Sequence, residues 1–160
     1  MEIIKYPNSK LREISKPVKL PLSAEDRQTL DEMYAYIKDP ANGAVGLSAI
    51  QIGIAKRMCA IRIVGDKTIG YKLANPKIIR HSSKQTFVPE GCLSVPEEHD
   101  ENIPRWESVT VMAYDAIQNK SIMINAYGWE AKVLQHEIDH MDGKLYIDYI
   151  KEAKEELNIW

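Results

Sequence analysis

The sequence predicts an α+β fold: mostly antiparallel β-sheets around a central helix that carries an HExxH motif, in one domain covering residues 1–160. Three observations support this. Two pairs of β-rich runs are each interrupted by a tight-turn signal, Gly65-Asp66 in one and Gln118-Asn119 in the other, which is the pattern of hairpins rather than of parallel crossovers. Apolar residues recur at helical spacing in two other segments. A chain of 160 residues with 44% hydrophobic and 28% charged residues is long enough to bury a core and has an ordinary globular composition.

The first twenty-two residues hold Pro7, Pro17 and Pro21 and should run extended and irregular. Ser23 is placed as an N-cap, with Glu25 and Asp26 in the first turn, and Leu30, Met33, Tyr34 and Ile37 form one apolar helical face. The stretch Asp39-Pro-Ala-Asn-Gly43 ends that helix. Strands follow in the segments 57–76 and 108–128, around the two turn signals. From about Gly128 the pattern turns helical again until Asp142-Gly143 stops it. The tail from Leu145 alternates lysine and glutamate, which predicts a short strand or turn and then a solvated amphipathic helix.

Composition also excludes partners. The formal net charge is −2, so no strongly basic face is implied and nucleic acid is not an expected partner. The N-terminal residues contain no apolar core of a secretory signal. No run reaches the ~18 consecutive apolar residues of a membrane span. The two cysteines, Cys59 and Cys92, suit free thiols or a single metal ligand better than a disulfide scaffold. Cys59 lies in a β-rich run and is expected to be a small buried strand residue. A cytoplasmic location follows as the expectation.

The second helix carries the chemistry. His136 and His140 are four residues apart, so they lie ~40° from one another around the helix and can aim both imidazoles at one point. Glu137 is offset by ~60° from His140, close enough to handle the proton of a water activated at the metal without being a ligand itself. The bland alternative is a pair of core or solvated histidines. A catalytic site of this kind usually has three protein ligands. After His140 there is no further histidine, and Glu152, Glu155 and Glu156 sit in the solvated tail. The third ligand is therefore sought upstream, where Cys92 follows Gly91 and lies 44 positions before His136 (136 − 92). A thiolate with two neutral imidazoles leaves a site of net charge about +1, which can still acidify a water.

Here the residues carry a family resemblance. Glu-Gly-Cys-Leu-Ser at 90–94, followed by Gln-His-Glu-Ile-Asp-His at 135–140, resembles peptide deformylase. The run Ala-Val-Gly-Leu-Ser-Ala-Ile-Gln at 44–51 resembles that family's glycine-rich motif, and the N-terminal residues resemble its opening pattern. The three motifs are in the family's order, and the resemblance covers nearly the whole chain. It implies hydrolysis of the N-formyl group from the N-formyl-methionyl peptides of nascent chains, releasing formate. Matched by position, Cys92, His136 and His140 would hold one divalent ion, usually Fe²⁺ in the family, with Zn²⁺, Ni²⁺ or Co²⁺ able to take its place. Glu137 would be the general base and acid. Gln51 and the Leu93 backbone N–H would donate to the formyl oxygen, and Gly46 would allow close approach of the substrate. Val45, Val88, Leu93, Trp129 and Val133 would line the methionine slot; core packing is the alternative for each. Glu90 and Arg105 would pair behind the Cys92 loop.

Ala44, Ser48 and Ile50 depart from the family's first motif, and the segment from Pro96 to Arg105 holds four acidic residues where many members carry an arginine that contacts the peptide. Peptide contacts beyond methionine are therefore expected to be weaker or different. The charge-alternating tail gives no basis for ribosome docking. Two other readings stand beside the deformylase: a zincin-type peptidase with a downstream ligand, and a non-catalytic relative that binds formyl peptides or metal.

Overall fold

The structure is a computed structural model that describes the backbone of residues 1–158 and the side chains of residues 1–153. Its architecture is a mixed helix-and-strand fold with antiparallel sheets and three α-helices. A five-stranded sheet holds, in spatial order, β1 (Gly46–Ser48), β2 (Met58–Ile63), β3 (Ile69–His81), β6 (Ser108–Asp115) and β7 (Lys120–Tyr127), each pair antiparallel. A separate two-stranded sheet pairs β4 (Gln85–Val88) with β5 (Ile103–Trp106). Both turn signals lie in hairpins, β2–β3 and β6–β7, and Asn119 adopts the left-handed conformation that the second turn needs.

Helix α1 (Ala24–Lys38) begins at Ser23, whose side-chain oxygen accepts the Asp26 backbone N–H at 3.0 Å. Helix α2 (Gly128–Met141) contains His136, Glu137 and His140. The two helices cover opposite faces of the sheet, and strand alternation decides which residues meet which helix. On β2, Cys59 and Ile61 join Val133, Leu134 and Ile138 of α2 in one core. Met58 and Ala60 join Leu30, Met33 and Ile37 of α1 in another. Cys59 is fully buried, and burial pushes its thiol well above the usual range. The same alternation governs the short edge strand β1. Leu47 packs toward α1, so Gly46 and Ser48 meet Glu137 on α2.

A third core, with Leu11, Val95, Ile103, Tyr146 and Ile150, joins the N-terminal segment to β5 and to α3 (Ile147–Asn158). A turn, not a strand, links α2 to α3. Its first turn is fastened by Asp148, which accepts two bonds from the Arg12 guanidinium at 2.7 and 2.9 Å. The short β-strand pair 85–88 and 103–106 was not legible in the sequence. Its importance is that its long connection, residues 89–102, carries Glu90, Cys92 and Leu93. No described helix is long and apolar enough to cross a membrane.

Candidate metal centre

One turn of α2 and the β4–β5 connection bring three donor atoms together. Cys92 Sγ lies 3.4 Å from His140 Nε2, and His140 Nε2 lies 3.3 Å from His136 Nε2. All three lie within 4.8 Å of one another and can hold a metal ion. A tetrahedral ion with bonds of about 2.0–2.1 Å to nitrogen and about 2.3 Å to sulfur spaces its ligands about 3.3–3.6 Å apart, so the donor set fits such a group. Glu152 is exposed on α3, and the side chains of Glu155 and Glu156 lie outside the described residues.

The histidines are not equivalent. His136 Nδ1 lies 2.9 Å from Glu90 Oε1. Burial acts to raise the Glu90 carboxyl, but Arg105 and His136 outweigh it and hold it down at about 2. An ionised carboxylate only accepts, so His136 Nδ1 donates to Glu90, and Nε2 is the nitrogen turned toward His140 that can take a metal once its own proton leaves. Burial opposes charge on His136, yet the Cys92 sulfur and Glu90 hold its pKa well above the usual value. Burial and the neighbouring His136 push His140 well below it. The His140 Nδ1 atom is buried with no hydrogen-bond partner among the described residues.

Glu90 and Arg105 form a buried bidentate pair, Nε to Oε2 at 2.7 Å and Nη2 to Oε1 at 2.8 Å. Arg105 Nη1 also donates to Asp139 Oδ2 at 2.6 Å, and the Tyr149 hydroxyl donates to the same oxygen at 2.7 Å. The Tyr149 ring lies 5.0 Å from the guanidinium carbon. A continuous chain of charged hydrogen bonds thus runs from α3 to His136.

Glu137 is buried, and burial pushes its carboxyl above the usual range against the pull of His136 and the Ser48 hydroxyl. Ser48 Oγ lies 3.0 Å from Glu137 Oε1 and 2.8 Å from the Glu137 carbonyl. Gly46 lies on the other side: a Cβ there would stand 2.5 Å from Glu137 Oε2. Gln51 is nearly inaccessible to solvent. Its carbonyl accepts the Ser48 N–H at 2.9 Å, and its amide donates to Ser94 Oγ at 3.0 Å and faces Cys92 Sγ at 3.6 Å.

A pocket of about 380 Å³ opens beside these groups, and Val45, Leu93, Trp129 and Val133 line it. Trp129 is half exposed at the mouth. Val88 is not among the lining residues; it pairs with Ile103 at the end of β4. On the other side of the Cys92 loop a wider cleft of about 980 Å³ is lined by Glu97, Glu98, His99 and Asp100 together with N-terminal residues.

Comparison with known proteins decides the family. The polypeptide deformylase family model matches residues 1–156. A peptide deformylase of Halalkalibacterium halodurans is 37% identical over 164 aligned positions, covering 94% of this chain and 90% of the relative. The crystal structure of a peptide deformylase from Legionella pneumophila superposes with a TM-score of 0.84 at 37% identity, over 98% of this chain and 89% of that one. A class I type b peptide deformylase from Acinetobacter baumannii, bound to Met-Ala-Ser, superposes with a TM-score of 0.82 at 27% identity, over 93% of this chain and 97% of that one.

The chain belongs to the peptide deformylase family.

Peptide deformylases remove the N-formyl group from nascent peptides, and they depend on a metal. Sequence reasoning about this family member did not single out Ser94, Asp139, Tyr149 or Lys132. Ser94 and Asp139 stand inside the quoted motifs, but nothing local says which groups they meet. Tyr149 lies in the tail that read as solvated. Lys132 was findable: it lies between Trp129 and Val133, on the helix face that points to the pocket.

Proposed function

We propose that this chain hydrolyses N-formyl-methionyl peptides of nascent chains to formate and a free amine, within one catalytic domain spanning residues 1–160. The observation that carries the proposal is the convergence of Cys92, His136 and His140 beside the buried carboxylate of Glu137. A divalent ion held by those three residues supplies Lewis-acid polarisation of the formyl group and lowers the pKa of the attacking water.

The remaining work falls to side chains. Glu137 takes the proton of the water and returns it to the departing amine nitrogen, a role suited to a carboxyl raised by burial. Ser48 and the close approach of Gly46 hold that carboxyl in one orientation. Gln51 and the Leu93 backbone N–H donate to the developing oxyanion; one such donor contributes ~2.7–4 kcal/mol to the barrier. The Gln51 hydrogen facing Cys92 has the longer contact and is the one to redirect. Glu90 and Arg105 orient His136 and the Cys92 loop.

The methionine side chain occupies the slot of Val45, Leu93, Trp129 and Val133. Support comes from the Acinetobacter relative, whose bound peptide begins with methionine. Fe²⁺ is the working metal; Zn²⁺, Ni²⁺ and Co²⁺ suit the same donors.

The test is formate release from formyl-Met-Ala-Ser by protein loaded anaerobically with Fe²⁺ or loaded with Ni²⁺. Turnover is expected. Full metal occupancy without turnover would replace the enzyme by a formyl-peptide or metal-binding protein.

A further inference from the structure

Among the described residues, one charged side chain in the pocket has no partner. Lys132 lines the 380 Å³ pocket, and only 9% of its surface remains exposed. It stands on the same face of α2 as Trp129, Val133 and His136, which line the pocket with it. The carboxylates that share this pocket are committed elsewhere: Glu90 to Arg105 and His136, Glu137 to Ser48. Among the described residues Lys132 makes neither an ion pair nor a side-chain hydrogen bond, whereas Lys56 and Lys72, on the surface, both have carboxylate partners.

An ammonium is a donor of three hydrogen bonds and accepts none. The side chain is nine-tenths buried, yet its ammonium is not among the atoms cut off from solvent, so an acceptor that enters the pocket can take the place of water there. Its aliphatic stem can serve as slot wall for an apolar side chain while the charged end stays near the opening. The thioether of methionine is only a weak acceptor. Its oxidised form, the sulfoxide, has nearly the same length and carries a polar oxygen on the sulfur.

We infer that Lys132 gives this enzyme a second substrate class: N-formyl peptides whose first side chain carries an oxygen acceptor near its end, formyl-methionine sulfoxide foremost. The reaction is the same hydrolysis: the formyl C–N bond breaks, a C–O bond to water forms, and the water proton goes to the amine nitrogen. The inference rests on the slot being the site of the first side chain.

The experiment measures kcat/KM of the metal-loaded enzyme on formyl-Met-Ala-Ser, formyl-norleucine-Ala-Ser and formyl-methionine sulfoxide-Ala-Ser. Norleucine has the shape of methionine without an acceptor. In the natural protein the sulfoxide peptide should run within about tenfold of the norleucine peptide, because a charged donor meets its oxygen. Lys132→Met should lower the sulfoxide-to-norleucine ratio by about tenfold or more, and Lys132→Arg, which keeps a charged donor, should hold it within about threefold. An equal ratio in the natural protein and in Lys132→Met overturns the inference. So does a natural enzyme that disfavours the sulfoxide by about 100-fold or more, a result that needs no variant to fold. Absence of turnover on formyl-Met-Ala-Ser would instead overturn the functional reading itself, and the inference with it.

Discussion

Replacing Gly46 by alanine places a methyl group where the Glu137 carboxylate now lies. The added Cβ would stand 2.5 Å from Oε2, 3.0 Å from Cδ and 3.1 Å from Cγ. Ordinary contact begins at about 3.5 Å, so the carboxylate must retreat by about 1 Å. Backbone strain does not confuse the result, since Gly46 is not among the residues with positive φ and alanine can take its conformation. Retreat also pulls Oε1 away from Ser48 Oγ. A displacement of about 1 Å at a catalytic group costs on the order of 10²-fold in rate. Gly46→Ala should therefore lower kcat for formate release by about 100-fold while the metal content stays at that of the natural protein. A double-mutant cycle makes the cause specific: in a Glu137→Ala background the same substitution should cost little more, because the group it displaces is gone. Activity of Gly46→Ala within about threefold of the natural enzyme, or full additivity with Glu137→Ala, would refute the argument that Gly46 acts through Glu137.

Further outcomes follow from the network around the centre. Arg105→Met leaves the buried carboxylate of Glu90 and the half-buried one of Asp139 without their cation, which should cost about 3–5 kcal/mol in urea unfolding and weaken metal binding by about 10–100-fold in equilibrium dialysis; unchanged values in both would sink the orienting role. Cys92→Ser should lose most metal affinity, whereas a zincin with a downstream ligand would retain it. Asp148 gives a pH dependence: burial acts to raise its carboxyl, but Arg12 and the Leu145 N–H outweigh burial and hold it below the usual aspartate range. A depressed carboxyl stabilises the fold above its unfolded pKa, and that contribution is lost as pH falls through the folded value. Asp148→Asn should therefore narrow the stability difference between pH 6 and the acid range in thermal melts, and an unaltered acid limb would count against it.

The parts of this molecule that were legible in the sequence are those governed by local periodicity. Ser23 caps α1 as its position before an apolar helical face implies. The two hairpins fall around their turn signals, and the spacing of His136 and His140 is sufficient to aim two imidazoles together. The resemblance of the three motifs pointed to Cys92 and Glu137. Less was visible where contacts depend on distant chain segments. β4 and β5 are four residues each, too short for an alternation pattern to separate from loop. Tyr149 reads as part of a solvated tail, yet its hydroxyl belongs to the bond network behind His136.

Sequence alone dictates the identity and order of the chemical groups, and their arrangement within single turns of helix or strand. The tertiary structure decided which of those groups meet. Register in the sheet turns Gly46 and Ser48, rather than Leu47, toward Glu137. The pairing of β4 with β5 brings the sulfur of Cys92 to 3.4 Å from a histidine 48 positions away. Burial then sorts the charges, pairing Arg105 and leaving Lys132 in the pocket with no ion pair among the described residues. The reason is physical: backbone geometry is set by neighbours a few residues away, while desolvation and pairing energies depend on whatever the fold packs alongside.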